Sequence, residues 1–558
     1  MRTSDTGDVW WKSAVVYCAD VQTFQDSDGD GHGDLRGLTD RIEYLDDLGV
    51  TVLWLMPFYP TAGRDDGYDI TDFLGVDRRL GDLGDVVELI RTANARGIRV
   101  IVDFVMNHTS DRHPWFRSAR RSTEDSYREY YVWSATKPRS SKAEVVFPDK
   151  EDSIWQLDER TGEYYLHHFY RTQPDLNVAN PRVREEIART LGFWLQMGVS
   201  GFRIDAVPFL FATDSYPGAD PGSFDPFRYL GHVRGYVTRR RGDALLLGEV
   251  NLPYGGQKDY FGGDDGNGLN MQFDFNGMQA LYLSLARGDA GPVAAALRER
   301  PGLDLQSQWA NFVRNHDELT LDKLTTAERK EVFAAFGPEP GMQLYGRGLR
   351  RRLPTMLGGD ARRIRCVYSL MFSLPGTPVL FYGEEIGMGE NLDLEGRLAV
   401  RTPMQWTSGP NGGFSSAAAR RLARPLTTGA YGPEHVNVAD QRRDPDSMWS
   451  FIRTLVRRYR QMPELGWAEA EVLDHDTPAV LAHVARCDDW RMLAVHNLSG
   501  ESVPVNLRLE DAEGLVLDDV LTDEEAMPVG PGGRVELVLE PYGFRWLRPV
   551  APGEEPFA

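Results

Sequence analysis

A chain of 558 residues, 41% hydrophobic and 26% charged, is long enough for one large globular domain with one or two smaller ones and too apolar to be disordered. A net charge of −21 argues against the basic patches that nucleic acid and anionic membranes require, so no nucleic acid and no membrane is expected as a partner. No apolar stretch is long enough to span a bilayer, the three scattered cysteines (Cys18, Cys366, Cys487) show no metal-ligand spacing, and Met1-Arg2-Thr3-Ser4-Asp5 opens no secretion signal, so a soluble cytoplasmic protein with reduced thiols is expected.

Residues 14–20 predict a first, apolar strand. The turn behind it, Asp26-Ser27-Asp28-Gly29-Asp30-Gly31-His32-Gly33-Asp34, alternates carboxylates and glycines like the first half of a calcium loop. The EF-hand pattern fails, because its twelfth position is Gly37. Carboxylates packed this closely repel one another unless a cation sits among them, and a flexible all-oxygen loop suits calcium better than magnesium; a solvated acidic turn is the alternative. Residues 35–48 then predict an amphipathic helix ending at Gly49, and 50–57 a strand as apolar as a buried parallel sheet requires. Residues 83–96 predict a helix stopped by Gly97, and 98–105 a strand running into His108.

Residues 109–172 break this rhythm, which predicts a subdomain inserted after the third strand and closed by Gln173-Pro174-Asp175-Leu176-Asn177. Asn180 and Pro181 open a helix that runs to Met197. Further strands are predicted at 201–207, 244–250, 271–275, 309–313 and 376–383, and a last amphipathic helix at 447–462. After Leu465-Gly466 the pattern shortens to alternating segments at 479–484, 491–496 and 535–539. The expected fold is therefore α/β: a (β/α)8 TIM barrel in two parts, 1–108 and 173–466, with inserted subdomain B at 109–172 and a C-terminal antiparallel β-sandwich at 467–558.

In such a barrel the functional residues sit at the C-terminal strand ends, where Asp103, Asp205, Glu249 and Asp317 all fall. Four carboxyls converging on one mouth repel one another, which makes a purely structural role hard to defend. Two carboxyls flanking a bond are the equipment of glycoside cleavage. Arg203 and Asp205, two apart along a strand, share a face, so the guanidinium is expected to hold Asp205 ionised, as a nucleophile must be. Seen alone the two would read equally as a structural ion pair. Glu249 has apolar neighbours and no adjacent cation, so a raised pKa is expected of it, as a general acid needs. Retention would set the two carboxyls about 5–5.5 Å apart. His108 and His316, each near an acid, are expected to donate to sugar hydroxyls, although either alone would read as a core histidine.

Asp103-Phe104-Val105-Met106-Asn107-His108, Gly201-Phe202-Arg203-Ile204-Asp205, Glu249 and Arg314-Asn315-His316-Asp317 resemble, in order, the four signature segments of the α-amylase family of glycoside hydrolases, and residues 173–177 resemble its fifth. The likeness runs from about residue 10 to the end. It implies Asp205 as nucleophile, Glu249 as acid/base, and Asp317 as a third acid holding the ring hydroxyls of a distorted glucosyl unit. It implies that Tyr68 stacks beneath that sugar and that Asp65, His108, Arg203, His316 and Arg401 bind its hydroxyls. Phe147 and Phe169 resemble its apolar wall, with ordinary packing as the other reading. For the acidic loop it implies calcium held by Asp26, Asp28, Asp30, the His32 carbonyl and Asp34, and it implies no organic cofactor.

Five stretches are similar to the branch of the family that interconverts maltose and trehalose by intramolecular transglucosylation. They are Trp11 to Val15, Arg64 to Asp69, Arg314 to Thr320, Gly348 to Leu353 and Val400 to Trp406. Such an isomerase must keep water out while the released glucose turns over, and Glu318 and Arg401 are expected to close the pocket. Two stretches depart from the branch: Glu249-Val250-Asn251-Leu252-Pro253-Tyr254 stands for Glu-Ala-Asn-Gln-Trp-Pro, and Gln272-Phe273-Asp274-Phe275-Asn276 for an Asn-Phe-Pro pattern. Both lie where an acceptor sugar is expected, and a lost polar contact there alters selectivity. The glycone is expected to be α-linked glucose, while the acceptor stays open between the isomerase and an α-glucosidase or transglucosylase acting on another small α-glucoside. A non-catalytic member serving as a partner subunit is the reading from another class; the presence of all three acids counts against it. A homo-oligomer is left open.

Overall fold

The computed structural model describes residues 9–139, 144–210, 224–263, 266–522 and 525–554; the reading of residues 1–5 lies outside them. Eight parallel strands close into a barrel: β1 (Val16–Ala19), β2 (Val52–Leu55), β3 (Arg99–Phe104), β4 (Gly201–Ile204), β5 (Leu245–Gly248), β6 (Met271–Phe273), β7 (Gln308–Asn311) and β8 (Thr377–Phe381). Each pairs with its neighbours in sequence, and β1 pairs with β8 to close the ring. The strands are buried almost throughout, which is why they read as near-continuous apolar runs. In the register of β3 and β4, Asp103 lies beside Arg203. The strands are shorter than the apolar runs that announce them. Thus β4 stops at Ile204, and Asp205 and Ala206 turn out into the mouth, Ala206 with φ 47°.

Outer helices begin where side-chain caps satisfy their free amides: the Asp82 carboxylate accepts from the amides of Gly84 and Asp85 ahead of the helix Leu83–Asn94, and Asn180 caps Pro181–Met197. The helix expected over 35–48 is two helices, Leu35–Asp40 and Ile42–Leu48, separated at Arg41. Asp34 caps the first, and Gly49, at φ 89°, ends the second. No Gly or Pro marks the break, so the amphipathic pattern runs through it unseen.

The segment after β3 carries a three-stranded antiparallel sheet built from Trp133–Ser134, Glu163–Leu166 and Trp155–Asp158. It has its own small core of Val132, Val145, Ile154, Trp155 and Leu166. Bridges from His108 to Asp175 and from Tyr131 to Leu176 fasten it to the barrel mouth. At the C-terminus a six-stranded antiparallel sheet faces a two-stranded one, Val503–Arg508 with Arg534–Leu539. Their inward side chains, among them Val484, Leu493, Val505, Leu507, Leu537 and Leu547, form a separate core. Among the described residues no helix is long and apolar enough to cross a membrane.

Candidate active site

Arg203, fully buried on β4, is the hub of the barrel mouth. Its Nη1 donates to Asp103 Oδ1 at 2.8 Å and to Asp205 Oδ1 at 2.5 Å, and its Nη2 donates to Glu249 Oε2 at 2.6 Å. Glu249 therefore does have a cation beside it, contrary to the expectation from its apolar sequence neighbours: the partner stands 46 residues away and arrives through the pairing of β4 with β5. The Ala206 amide donates a second bond to the same oxygen, at 3.2 Å. The left-handed backbone conformation of Ala206 disfavours any residue with a β-carbon, typically by about 1–2 kcal/mol.

One guanidinium serves three carboxyls, Asp103 and Asp205 buried and Glu249 with 23% of its side chain exposed, and cannot neutralise them all. Burial pushes Glu249 up to about 7; Arg203 pulls it down, and Asp205 and Asp317 push it back up. Burial likewise pushes Asp205 up to about 6 in spite of Arg203, with Asp103 and Asp317 adding to the rise. The expectation that Arg203 holds Asp205 low is corrected here, because desolvation and two neighbouring carboxylates outweigh it. The order survives: the group that keeps its proton to higher pH is Glu249, and Asp205 loses its proton first. Asp317 behaves oppositely. Burial pushes it up, but adjacent positive charge holds it well below the usual carboxylate range. Burial keeps His316 neutral at ordinary pH, so that charge is supplied by Arg397 Nη1 at 2.6 Å and Arg401 Nη2 at 2.9 Å, both on Oδ1.

These groups open onto a cavity of about 680 Å³, within the range of about 300–1,000 Å³ common to small-molecule sites. Of the residues expected from sequence, Asp205, Glu249, Asp317, Asp65, Tyr68, His108, Phe147, Phe169 and Glu318 line it. Arg203, His316 and Arg401 do not line it; they stand behind the wall and hold it. Tyr68 lies parallel to the His316 ring, its hydroxyl 2.6 Å from Nε2 and 3.0 Å from Asp103 Oδ2. Arg401 donates to the His316 carbonyl at 2.8 Å and to Asp66 Oδ2 at 2.7 Å. Glu318 accepts from Arg347 at 3.0 Å, and the same guanidinium reaches the Val146 carbonyl of the inserted segment at 2.6 Å.

Arg397 escaped the sequence reading although it lines the cavity, joining Asp317 to Asp65, the latter at 2.7 Å. The only signal was its place four residues before Arg401. At the outer end stand Asn251 and Lys323, both on Asp322 at 3.0 and 2.9 Å. Leu252 and Phe275, from the two departing stretches, line the cavity beside them.

In the acidic loop, carboxylate oxygens of Asp26, Asp28 and Asp34 lie within 4.8 Å of one another, while the Asp30 carboxylate falls outside that group and accepts from the His32 amide at 2.7 Å. The carboxylates are not bare. Asp26 accepts from the amides of Asp28, Gly29 and Gly31 and from the Ser415 hydroxyl, and Asp34 accepts from Ser27 and Gly37. Their repulsion is relieved in part by these donors, so crowding alone does not demand a cation.

An eight-stranded parallel barrel whose strand ends gather buried carboxyls of unequal acidity around one arginine, beneath a lined pocket, defines a glycoside-active enzyme. A model of the α-amylase catalytic domain matches residues 20–333 and 349–481, and one of a sucrose hydrolase-like C-terminal domain matches residues 491–548. The chain belongs to the α-amylase family. It is 39% identical over 548 residues to a trehalose synthase of Thermus thermophilus, covering 97% of this chain and 56% of that one. It is 39% identical over 546 residues to the trehalose synthase/amylase TreS of Mycobacterium tuberculosis, covering 97% and 90%. Among solved structures, a single-site mutant of the trehalulose synthase MutB superposes with a TM-score of 0.76 at 27% identity, covering 98% of this chain and all of that one. The chain thus spans little more than half the length of the Thermus relative.

Proposed function

We propose that this protein is a retaining α-glucosyltransferase that interconverts maltose and trehalose within one pocket, through a glucosyl ester on Asp205. The observation that carries it is the meeting of Asp205 and Glu249 on one arginine, Arg203, at a lined cavity, where burial raises Glu249 above Asp205 in spite of that shared cation. Glu249 gives its proton to the glycosidic oxygen as Asp205 attacks the anomeric carbon; the bond to the second glucose breaks and the ester forms. The freed glucose turns, its own anomeric hydroxyl attacks the anomeric carbon of the glucosyl ester, and Glu249 takes that proton back as the bond to Asp205 breaks and the carboxylate leaves. Asp317, fixed by Arg397 and Arg401, holds the ring hydroxyls of the transferred unit, with Tyr68 beneath it. Arg347, joining Glu318 to the inserted segment, helps keep water from the ester. Relatives named for trehalose synthesis support the isomerase. Hydrolysis as an α-glucosidase is the second reading, favoured by Leu252 and Phe275, apolar side chains where an acceptor would lie.

Asp26, Asp28 and Asp34 offer a hard, all-oxygen donor set, which fits calcium. They would hold it against Ser415, fastening the loop after β1; it supplies no chemistry to the reaction. Small α-glucosides are the expected substrates, in a cytoplasmic setting. The test is to incubate the protein with maltose and, separately, with trehalose, and to follow products by proton NMR. Each disaccharide appearing from the other with little glucose upholds the isomerase. Glucose alone, first seen as the α-anomer, leaves a retaining hydrolase.

A further inference from the structure

Arg424 lies in no motif and does not line the cavity, yet it belongs to a series of ion pairs that leads into it. Its side chain is only 5% exposed. Nη1 donates to Asp20 Oδ2 at 2.9 Å and to the Arg401 carbonyl at 2.7 Å, and Nη2 donates to Asp66 Oδ1. The other oxygen of Asp66 accepts from Arg401, which reaches Asp317, which accepts in turn from Arg397, which reaches Asp65. Acid and arginine alternate from Asp20, just after β1, to Asp65 at the cavity. Each rung is supplied by a different loop or by a neighbour facing the other way: Asp65 and Asp66 are adjacent, but they pair with different arginines.

Asp20 is itself held by the Gln22 amide at 3.0 Å and the Thr23 hydroxyl at 3.0 Å, so the outer end of the series is anchored. Asp66 lies at φ 51°, a conformation disfavoured for any side chain, and it is clamped there between Arg401 and Arg424. We propose that Arg424 is a positioning residue for Asp317, acting through Asp66 and Arg401; this rests on the role given to Asp317 above. Without Arg424, Asp20 and Asp66 share one cation fewer. The Arg401 guanidinium is then drawn toward the uncompensated Asp66 and away from Asp317. In a low-dielectric network such rearrangements carry from one pair to the next.

The test is a double-mutant cycle on 4-nitrophenyl α-glucoside with the full chain: wild type, Arg424→Met, Asp317→Asn and the pair. Arg424→Met is expected to lower kcat by about 10²-fold, the scale of a small misplacement propagated to a catalytic group, with KM changed far less. In the Asp317→Asn background the same substitution is expected to cost no more than about twofold, which is the scatter of independent sites. Equal losses in both backgrounds, or an unchanged kcat, overturn the proposal, because a merely structural arginine would act regardless of Asp317. Should Arg424→Met not fold, Arg424→Gln, which keeps an amide donor but removes the charge, is put through the same cycle. A wild type inactive on every α-glucoside refutes the functional reading instead. The four proteins are then compared by calorimetric glucose affinity, where a loss confined to the Asp317 background upholds the coupling and equal losses overturn it.

Discussion

At the scale of single residues, the site is governed by one guanidinium shared among three carboxyls. Asp205→Asn removes the proposed nucleophile while leaving an amide that still fits beside Arg203, so turnover is expected to fall to background with the far-ultraviolet spectrum unchanged; substantial residual activity contradicts the ester. Glu249→Gln should cost about 10²–10⁴-fold in kcat, less with a good leaving group that needs no proton. With Asp205 proposed as the nucleophile and Glu249 as the acid, the pH dependence follows from the same groups. Asp205 must be ionised, so activity rises as pH rises through about 6. Glu249 must be protonated, so activity falls as pH rises through about 7. A narrow bell in kcat/KM between those limbs is expected; a plateau extending well into alkaline pH would remove Glu249 as the acid.

These residues were unevenly legible. Asp205 and Glu249 could be placed at the barrel mouth from sequence, because strand ends concentrate function and the cavity is lined there. Arg203 on Glu249 could not be foreseen, nor could Arg397 on Asp65 or Arg424 on Asp66, the last pair 358 residues apart. An arginine announces its partner only after the barrel has closed.

At the scale of elements, barrel strands are readable because burial on both faces demands an unbroken apolar run. Their ends are not, because the same run continues into residues that turn away to the site, as β4 does after Ile204. The close approach of β4 to β5 rests on Gly201, at φ 152°, where a β-carbon would lie 2.2 Å from the Leu245 carbonyl oxygen. Gly201→Ala is expected to destabilise the fold by about 1–3 kcal/mol, read by denaturant melts, and to lower activity by displacing Arg203; an unchanged midpoint would contradict that packing. The acidic loop is an element whose donors are already partly satisfied. If calcium occupies it, chelation lowers the thermal midpoint and calcium restores it better than magnesium does. A midpoint that chelation does not move would leave the loop held by its amides and Ser415 alone.

For the whole molecule, the inserted segment and the barrel are joined across the pocket by Arg347, which bridges Val146 and Glu318. Arg347→Ala loosens that join, and the expected result is a larger hydrolysed fraction from maltose with glucosyl transfer to Asp205 still intact. An unchanged ratio of glucose to isomerised disaccharide would place water exclusion elsewhere. The architecture was legible at this scale because alternating strands and helices allow few topologies. The join across the pocket was not, because it depends on a long side chain, Arg347, meeting partners on loops that no sequence pattern pairs.

The most direct test of intramolecular transfer is to convert maltose in the presence of excess carbon-13-labelled glucose and follow label by NMR. Trehalose is expected to form with almost no label, because the freed glucose stays in the pocket until it attacks. Trehalose labelled in proportion to the glucose in solution would mean that the acceptor exchanges freely, and would contradict transfer within one closed pocket.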